Sequence, residues 1–234
     1  MNARPSLPSD DTVTTRVEAL ESVSSTMSAW GVVVAGGSGT RFGARKQLEN
    51  LGDRRVLDWS VDALAPVCDG IVVVVPADSV AETKVEDADA VVGGGATRSD
   101  SVRAGLAALG PGATHVLIHD AARPLATPAL AARVLEALRN GASGAVPVVE
   151  VSDSLRTRGG KSVDRSRYVA VQTPQGFALE ALKAAHASGE VASDDASLLD
   201  TLGLEVVHVD GESTNLKITD PHDLQIAEVL LHGR

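Results

Sequence analysis

The chain has 234 residues, 44% hydrophobic and 22% charged, enough apolar material for one substantial core. Aromatic residues are only 2% and the formal charge is −10, which argues against a base-stacking surface, a nucleic-acid backbone or an anionic membrane as the main partner. A single cysteine, Cys68, rules out an intramolecular disulfide and fits a reducing compartment, so burial of Cys68 and a cytoplasmic protein are expected.

Residues 1–27 lack the apolar core of a signal peptide and carry Asp10, Asp11, Glu18 and Glu21; they predict a disordered leader, with Met27 a candidate start. The domain is placed at 28–234. No apolar run approaches a membrane span, and "IVVVV" at 71–75 is strand-sized. Val-rich runs at 30–35, 70–76, 88–94, 114–120 and 144–150 predict strands. Between them, Val56, Leu57, Val61 and Leu64 share a helical face, a helix starts near Ser99, and Thr127-Pro128 reads as an N-cap with proline in the first turn. Apolar strands alternating with helices predict an α/β fold, Rossmann-like, with a mostly parallel sheet covered on both faces. Ligands of such sheets bind beyond the carboxyl ends of the strands, where "AGGSGTR", "GGGATRSDS" and "HDAARP" all fall.

The alternation breaks after residue 150. Residues 151–172 place Gly159-Gly160 between two polar stretches, which predicts a protruding β-hairpin arm over about 151–171 with a two-residue turn. A helix near 178–187, a strand near 205–209 and a helix near 221–231 complete the pattern.

The glycine-rich turn after the first strand matches neither common phosphate motif. Phe42 stands where G-x-G-x-x-G needs its third glycine, and Lys46 is followed by Gln47 where a P-loop needs serine or threonine. Glycines alone would also suit a tight turn with no ligand. The cations favour a ligand: backbone N–H groups freed by Gly36, Gly37, Ser38 and Gly39 can wrap a polyphosphate while Arg41 and Lys46 neutralise it. Cations so placed stabilise charge developing on phosphorus or on a leaving pyrophosphate. Arg45 is read as a solvated charge and His119 as a packed side chain.

"AGGSGTRFGARKQ", "GGGATRSDSVRAGL", "HDAARP", "VDR…VQTPQGF", "SDDASLL" and "TNLKITDPHDL" occur in an order that resembles the 2-C-methyl-D-erythritol 4-phosphate cytidylyltransferases of the non-mevalonate isoprenoid pathway, over roughly residues 30–232. The resemblance implies a nucleotidyltransferase-type fold that transfers a cytidylyl group from CTP to the sugar-alcohol phosphate with release of pyrophosphate. It makes Arg41, Lys46, Arg165 and Lys217 catalytic. It assigns the nucleotide to Ala35, Gly36, Gly37, Ser38, Gly39, Thr40, Gly94, Gly95, Arg98 and Ser101. The substrate falls to Asp120, Arg123, Ser154, Arg165 and Lys217, with Ser193 a further contact. Asp120 is the implied ligand of Mg²⁺, a metal commonly held by one or two carboxylates and phosphate oxygens. Asp194 and Asp195 read as a helix start. The resemblance also implies a homodimer in which each arm completes the neighbouring site. The competing expectations are a ribitol-5-phosphate cytidylyltransferase and a nucleotide-binding module without turnover.

Overall fold

The computed structural model describes residues 27–36, 46–187 and 194–233; the predicted leader up to residue 26 and the centre of the glycine-rich turn lie outside these, while Met27, placed in the leader from the sequence, packs against the core. The fold is the expected α/β type. Strand β1 (Ala29–Val34) lies between β4 (Gly70–Val75) and β6 (His115–Asp120), parallel to both. The intervening β2 (Asn50–Leu51) and β3 (Arg54–Arg55) form a small antiparallel ladder of their own. β5 (Ala90–Gly93) extends the main sheet beyond β4, also in parallel. On the other side β11 (Gln175–Ala178) runs antiparallel between β6 and β7 (Gly144–Glu150). β7 is flanked further by β12 (Val206–Asp210), in parallel, and by β10 (Val169–Val171), antiparallel, giving eight strands.

The strands are apolar on both sides because both sides are covered. Val32, Val72, Val74, Val116 and Ile118 face helices α2 (Arg98–Ala107), α4 (Leu179–Ala187) and α5 (Asp195–Thr201), packing on Val102, Leu182, Leu198 and Leu199. Their neighbours Val33, Val73, Val75 and Leu117 face the opposite way, onto Leu57 and Val61 of α1 (Val56–Asp62) and Val134 and Leu135 of α3 (Pro128–Arg139). This is the strand period of two with a core on each face. Helix starts follow the expected chemistry: Thr127 accepts from the Leu130 N–H, and Thr97, two residues before Ser99, caps α2 through the Asp100 N–H. A third cluster of Leu51, Val56, Leu125, Ile218 and Ala227 seats the C-terminal helix α6 (Pro221–His232). Cys68 is half-buried, and burial foremost, with Asp69, pushes its thiol up to about 12.

Two features depart from the expected pattern. The arm's strands β8 (Leu155–Arg156) and β9 (Ser162–Val163) form a two-pair ladder closed by Thr157 to Lys161, not by two glycines. Only Gly160 takes a positive φ, +85°, whereas a two-residue type I′ turn needs it at both central positions. The arm's return leaves it at β10, which pairs with β7 in the main sheet. In addition, β11 is a central strand where no strand was expected. It buries Phe177 completely, while a Cβ on Gly176 would come within 2.5 Å of Val134.

Because Phe177 sits between β6 and β7 on the α4–α5 face, Phe177→Ala is expected to destabilise the fold by about 3–5 kcal/mol, read from urea unfolding midpoints.

Candidate active site

The carboxyl ends of β6, β1, β4 and β5 lie in that order along one edge of the sheet. Val34 is in register with Asp120, and Ala35 extends β1 by donating to the Val74 carbonyl at 2.7 Å. Just beyond, Gly36 and Gly94 both close on Ser101 of α2: a Cβ would lie 3.0 Å and 2.6 Å from its Oγ, respectively. Gly95 is tighter still, since a Cβ there would meet Asp100 at 2.3 Å. Small residues are therefore required for α2 to reach the strand ends. Gln47, not singled out from the sequence, is buried and donates from Nε2 to the Ala35 carbonyl at 2.8 Å. Residues on either side of the glycine-rich segment are thereby tied to one another at the end of β1.

Asp120 ends β6 at the bottom of this crevice. Lys217 Nζ donates to its Oδ2 at 2.6 Å, and Arg98 Nε lies 3.5 Å from Oδ1. Burial alone would push this carboxyl up; Lys217 first, then Arg98 and Arg123, outweigh it and hold the group well below the ordinary carboxylate range. Arg98 also reaches back, its Nη1 donating to Asp195 Oδ2 at 2.6 Å, and the other oxygen of Asp195 is 3.0 Å from His186 Nε2. Asp195 is thus both a first-turn residue of α5 and the second anion of Arg98; sequence spacing carried no sign of that pairing across 97 residues. Asp194 caps α5 through the Ser197 N–H, as its motif suggested.

The remaining sequence-derived positions divide. Arg123 lies behind Asp120 and donates to the Asn215 carbonyl at 2.8 Å and the Val171 carbonyl at 3.3 Å. Lys217 is delivered by a loop anchored one residue on, where the Ile218 N–H donates to the Ala122 carbonyl at 2.8 Å. Ser154 and Arg165 are on the arm, both exposed, with the Arg165 guanidinium bonded to the Val151 and Ser152 carbonyls. None of the contacts of these two arm residues, among the described residues, reaches Asp120, Arg98 or Lys217. Gly37, Ser38, Gly39, Thr40, Arg41 and Ser193 lie outside the described residues, as does the side chain of Lys46, whose backbone opens a short 3₁₀ turn.

His119 is packed, as expected. It is fully buried, and Thr173 Oγ1, 3.0 Å from its Nδ1, also accepts from the Asp120 N–H at 3.0 Å. Burial foremost pushes its imidazole down to about 4, so it is neutral near pH 7.

An α/β sheet with small residues and cations at the carboxyl ends of its strands is an arrangement suited to a phosphate-bearing ligand. Comparison with known proteins narrows this. Residues 29–233 match the family described as IspD, 2-C-methyl-D-erythritol 4-phosphate cytidylyltransferase, and the chain belongs to that family. A cytidylyltransferase of that name from Rhodococcus jostii (strain RHA1) is 42% identical over 212 residues, covering 86% of this chain and 93% of the relative. A bifunctional enzyme IspD/IspF from Nitratidesulfovibrio vulgaris (strain DP4) is 43% identical over 228 residues; the match covers 86% of this chain but only 58% of that longer protein. The crystal structure of the Thermus thermophilus cytidylyltransferase superposes with a TM-score of 0.77 at 38% identity, over 88% of this chain and 100% of the other. Among the described residues no helix is long and apolar enough to cross a membrane.

A pH dependence of stability follows from His119. Its folded pKa, about 4, is below the ordinary 6.5, so the unfolded chain binds this proton first. The stability it contributes is full above pH 6.5 and is lost as pH falls towards 4, by about 3 kcal/mol in total. Asp120, also depressed, loses its contribution only below its ordinary 3.8, so the two windows separate. Denaturant melts at stepped pH should show this slope in the wild type and a flatter one in His119→Gln.

Proposed function

We propose that this chain transfers the cytidylyl group of CTP to 2-C-methyl-D-erythritol 4-phosphate, giving 4-diphosphocytidyl-2-C-methyl-D-erythritol and pyrophosphate. The observation that carries the reading is the Asp120 carboxylate between Lys217 and Arg98 at the strand ends, in a chain of this family. A phosphate oxygen of the sugar phosphate attacks the α-phosphorus of CTP; that P–O bond forms as the bond to the bridging oxygen of the leaving pyrophosphate breaks. The nucleophile is already ionised near neutrality, so no general base is required. His119, fully buried and with its basicity lowered, is not called on as one.

The cations then have distinct tasks. Arg41 and Lys46 neutralise charge developing on the α-phosphate and on pyrophosphate. Arg98, Ser101, Gly94 and Gly95 line the nucleotide pocket, where backbone groups can read the cytosine edge. Lys217, Arg123, Arg165 and Ser154 hold the sugar phosphate. Mg²⁺ would be held by Asp120 as a lone carboxylate, with phosphate oxygens completing its shell. The metal would neutralise phosphate charge there. The exposed arm, with Tyr168, Val169 and Val171 open at its base, supports a homodimer in which each arm serves the partner's site. The single cysteine suits a cytoplasmic enzyme.

Three measurements test this reading. Pyrophosphate release from CTP is expected with methylerythritol phosphate and not with ribitol 5-phosphate; the reverse preference would reassign the substrate, and no release with either would leave a binding module. Lys46→Ala should lower kcat on the order of a hundredfold or more while CTP affinity by calorimetry changes less. A rise in KM alone would make Lys46 a binding residue only. Finally, mixing inactive Arg165→Ala and Lys46→Ala chains should restore about a quarter of wild-type activity after subunit exchange, because half the dimers then carry one intact site. Mixed dimers as inactive as their parents would exclude an arm acting in trans.

A further inference from the structure

Residues 172–173 hold both halves of the central ion pair. Thr173 accepts from the Asp120 N–H. Its neighbour Gln172, which the proposed reaction does not use, is 5% exposed and spends its whole amide on the loop that leads to Lys217. Its Nε2 donates to the Glu212 carbonyl at 2.8 Å and, more weakly, to the Asn215 carbonyl at 3.4 Å. Its Oε1 accepts from the Glu212 N–H at 3.1 Å and from Asn215 Nδ2 at 3.3 Å. Within the loop, Asn215 N–H returns to the Glu212 carbonyl at 3.0 Å and Leu216 N–H to Thr214 at 2.8 Å; outside it, the Glu212 carboxylate accepts from Thr127 Oγ1 at 2.6 Å and Arg133 Nη2 at 3.1 Å, which leaves the Asn215 end to Gln172, Thr173 and Arg123. Asn215 is fully buried and also donates from Nδ2 to the Thr173 carbonyl at 3.0 Å. A Cβ on Gly211 would come within 2.7 Å of Gln172 Oε1, so the loop backbone closes directly onto this amide.

The same loop sets two cations. Lys217 is two residues past Asn215, and the Asn215 carbonyl is the acceptor for Arg123 Nη1. A shift of the loop would therefore move Lys217 off Asp120 and release Arg123 together. Gln172 is also the first residue past β10, where the chain returns from the arm, and its own N–H is held by the Pro147 carbonyl at 2.8 Å. The side chain is thus mounted on the central sheet and reaches across to a loop.

We propose that Gln172 is a positioning residue: by clamping residues 212–215 it places Lys217 and Arg123 for the sugar phosphate, while leaving the nucleotide pocket unaffected. This rests on the function proposed above, in which Lys217 holds that phosphate. Methionine at 172 keeps the length and loses all four bonds. Gln172→Met is expected to lower kcat/KM for the sugar phosphate about tenfold or more, since displacements near 1 Å can cost a hundredfold, with KM for CTP changed less than about threefold.

A double-mutant cycle with Lys217→Ala separates positioning from general destabilisation. If Gln172 acts through Lys217 and Arg123, its loss should be less than multiplied in a Lys217→Ala chain, and adding Gln172→Met to a chain carrying both Lys217→Ala and Arg123→Ala should change activity by less than about twofold. Multiplied losses, equal weakening of CTP and sugar phosphate, or a Gln172→Met enzyme within about twofold of wild type would each overturn the proposal. Full activity in Lys217→Ala would instead sink the reading of the site, and this proposal with it. Should Gln172→Met fold poorly by thermal melt, Gln172→Glu runs the same cycle, keeping the shape and the accepted bonds while removing the donors to the two carbonyls.

Discussion

The ion pair between Asp120 and Lys217 joins positions 97 residues apart at 2.6 Å, and the crevice is organised around it. A carboxylate buried without partners would take up a proton rather than hold its charge. Here Lys217, Arg98 and Arg123 keep it ionised, and Asp120 in turn lets those cations sit close together without mutual repulsion dominating. In the proposed reaction, a phosphate entering the crevice would offer the same cations another anion. Charge is thereby arranged before the ligand arrives, which is what electrostatic stabilisation of a phosphoryl-type transition state needs.

Each member of the cluster is supplied by a different part of the fold. The parallel sheet brings Ala35, Gly94 and Asp120 to a common edge. α2 carries Arg98 and is admitted close to that edge by Gly36 and Gly94 packing on Ser101. Asp195 and His186, from α5 and α4, brace Arg98 from the far side. Lys217 comes from the loop between β12 and α6, and Ile218 beside it is locked into a small core. Removing a cation from this network would leave the buried carboxylates of Asp120 and Asp195 less compensated, so the cluster is sensitive to single changes away from the strand ends.

Much of this was legible in the sequence because its causes are local. Runs such as Val32–Val34 and Ile71–Val75 are apolar at consecutive positions, which only a sheet covered on both faces accommodates. Thr127-Pro128 and Asp194 are capping signals that act within one turn. β11 was not legible: Gln175–Ala178 is four residues long, half glycine and glutamine, and becomes a strand only because β6 and β7 both lack a neighbour there. Asp195 was read as a helix-start residue, which it is, but its pairing with Arg98 depends on how two helices meet across the sheet's edge. Gln172 and Gln47 carry no charge, and although both lie within the quoted motifs no role was assigned to either; only their burial against backbone carbonyls marks them. The resemblance, by contrast, named Lys217 and Asp120 from short motifs, and the fold brings those two together.

The claim that rests most heavily on Asp120 is that its charge, and not its shape, makes the crevice work. Asn at this position is nearly isosteric and retains the backbone N–H that Thr173 accepts. The direct measurement is turnover of CTP and the sugar phosphate by Asp120→Asn, with a thermal melt of the same sample to establish that it is folded. The account predicts a folded chain whose kcat/KM is lower on the order of a hundredfold or more, the scale of losing an electrostatic element of the site. A folded Asp120→Asn chain with activity within a few-fold of wild type would contradict it.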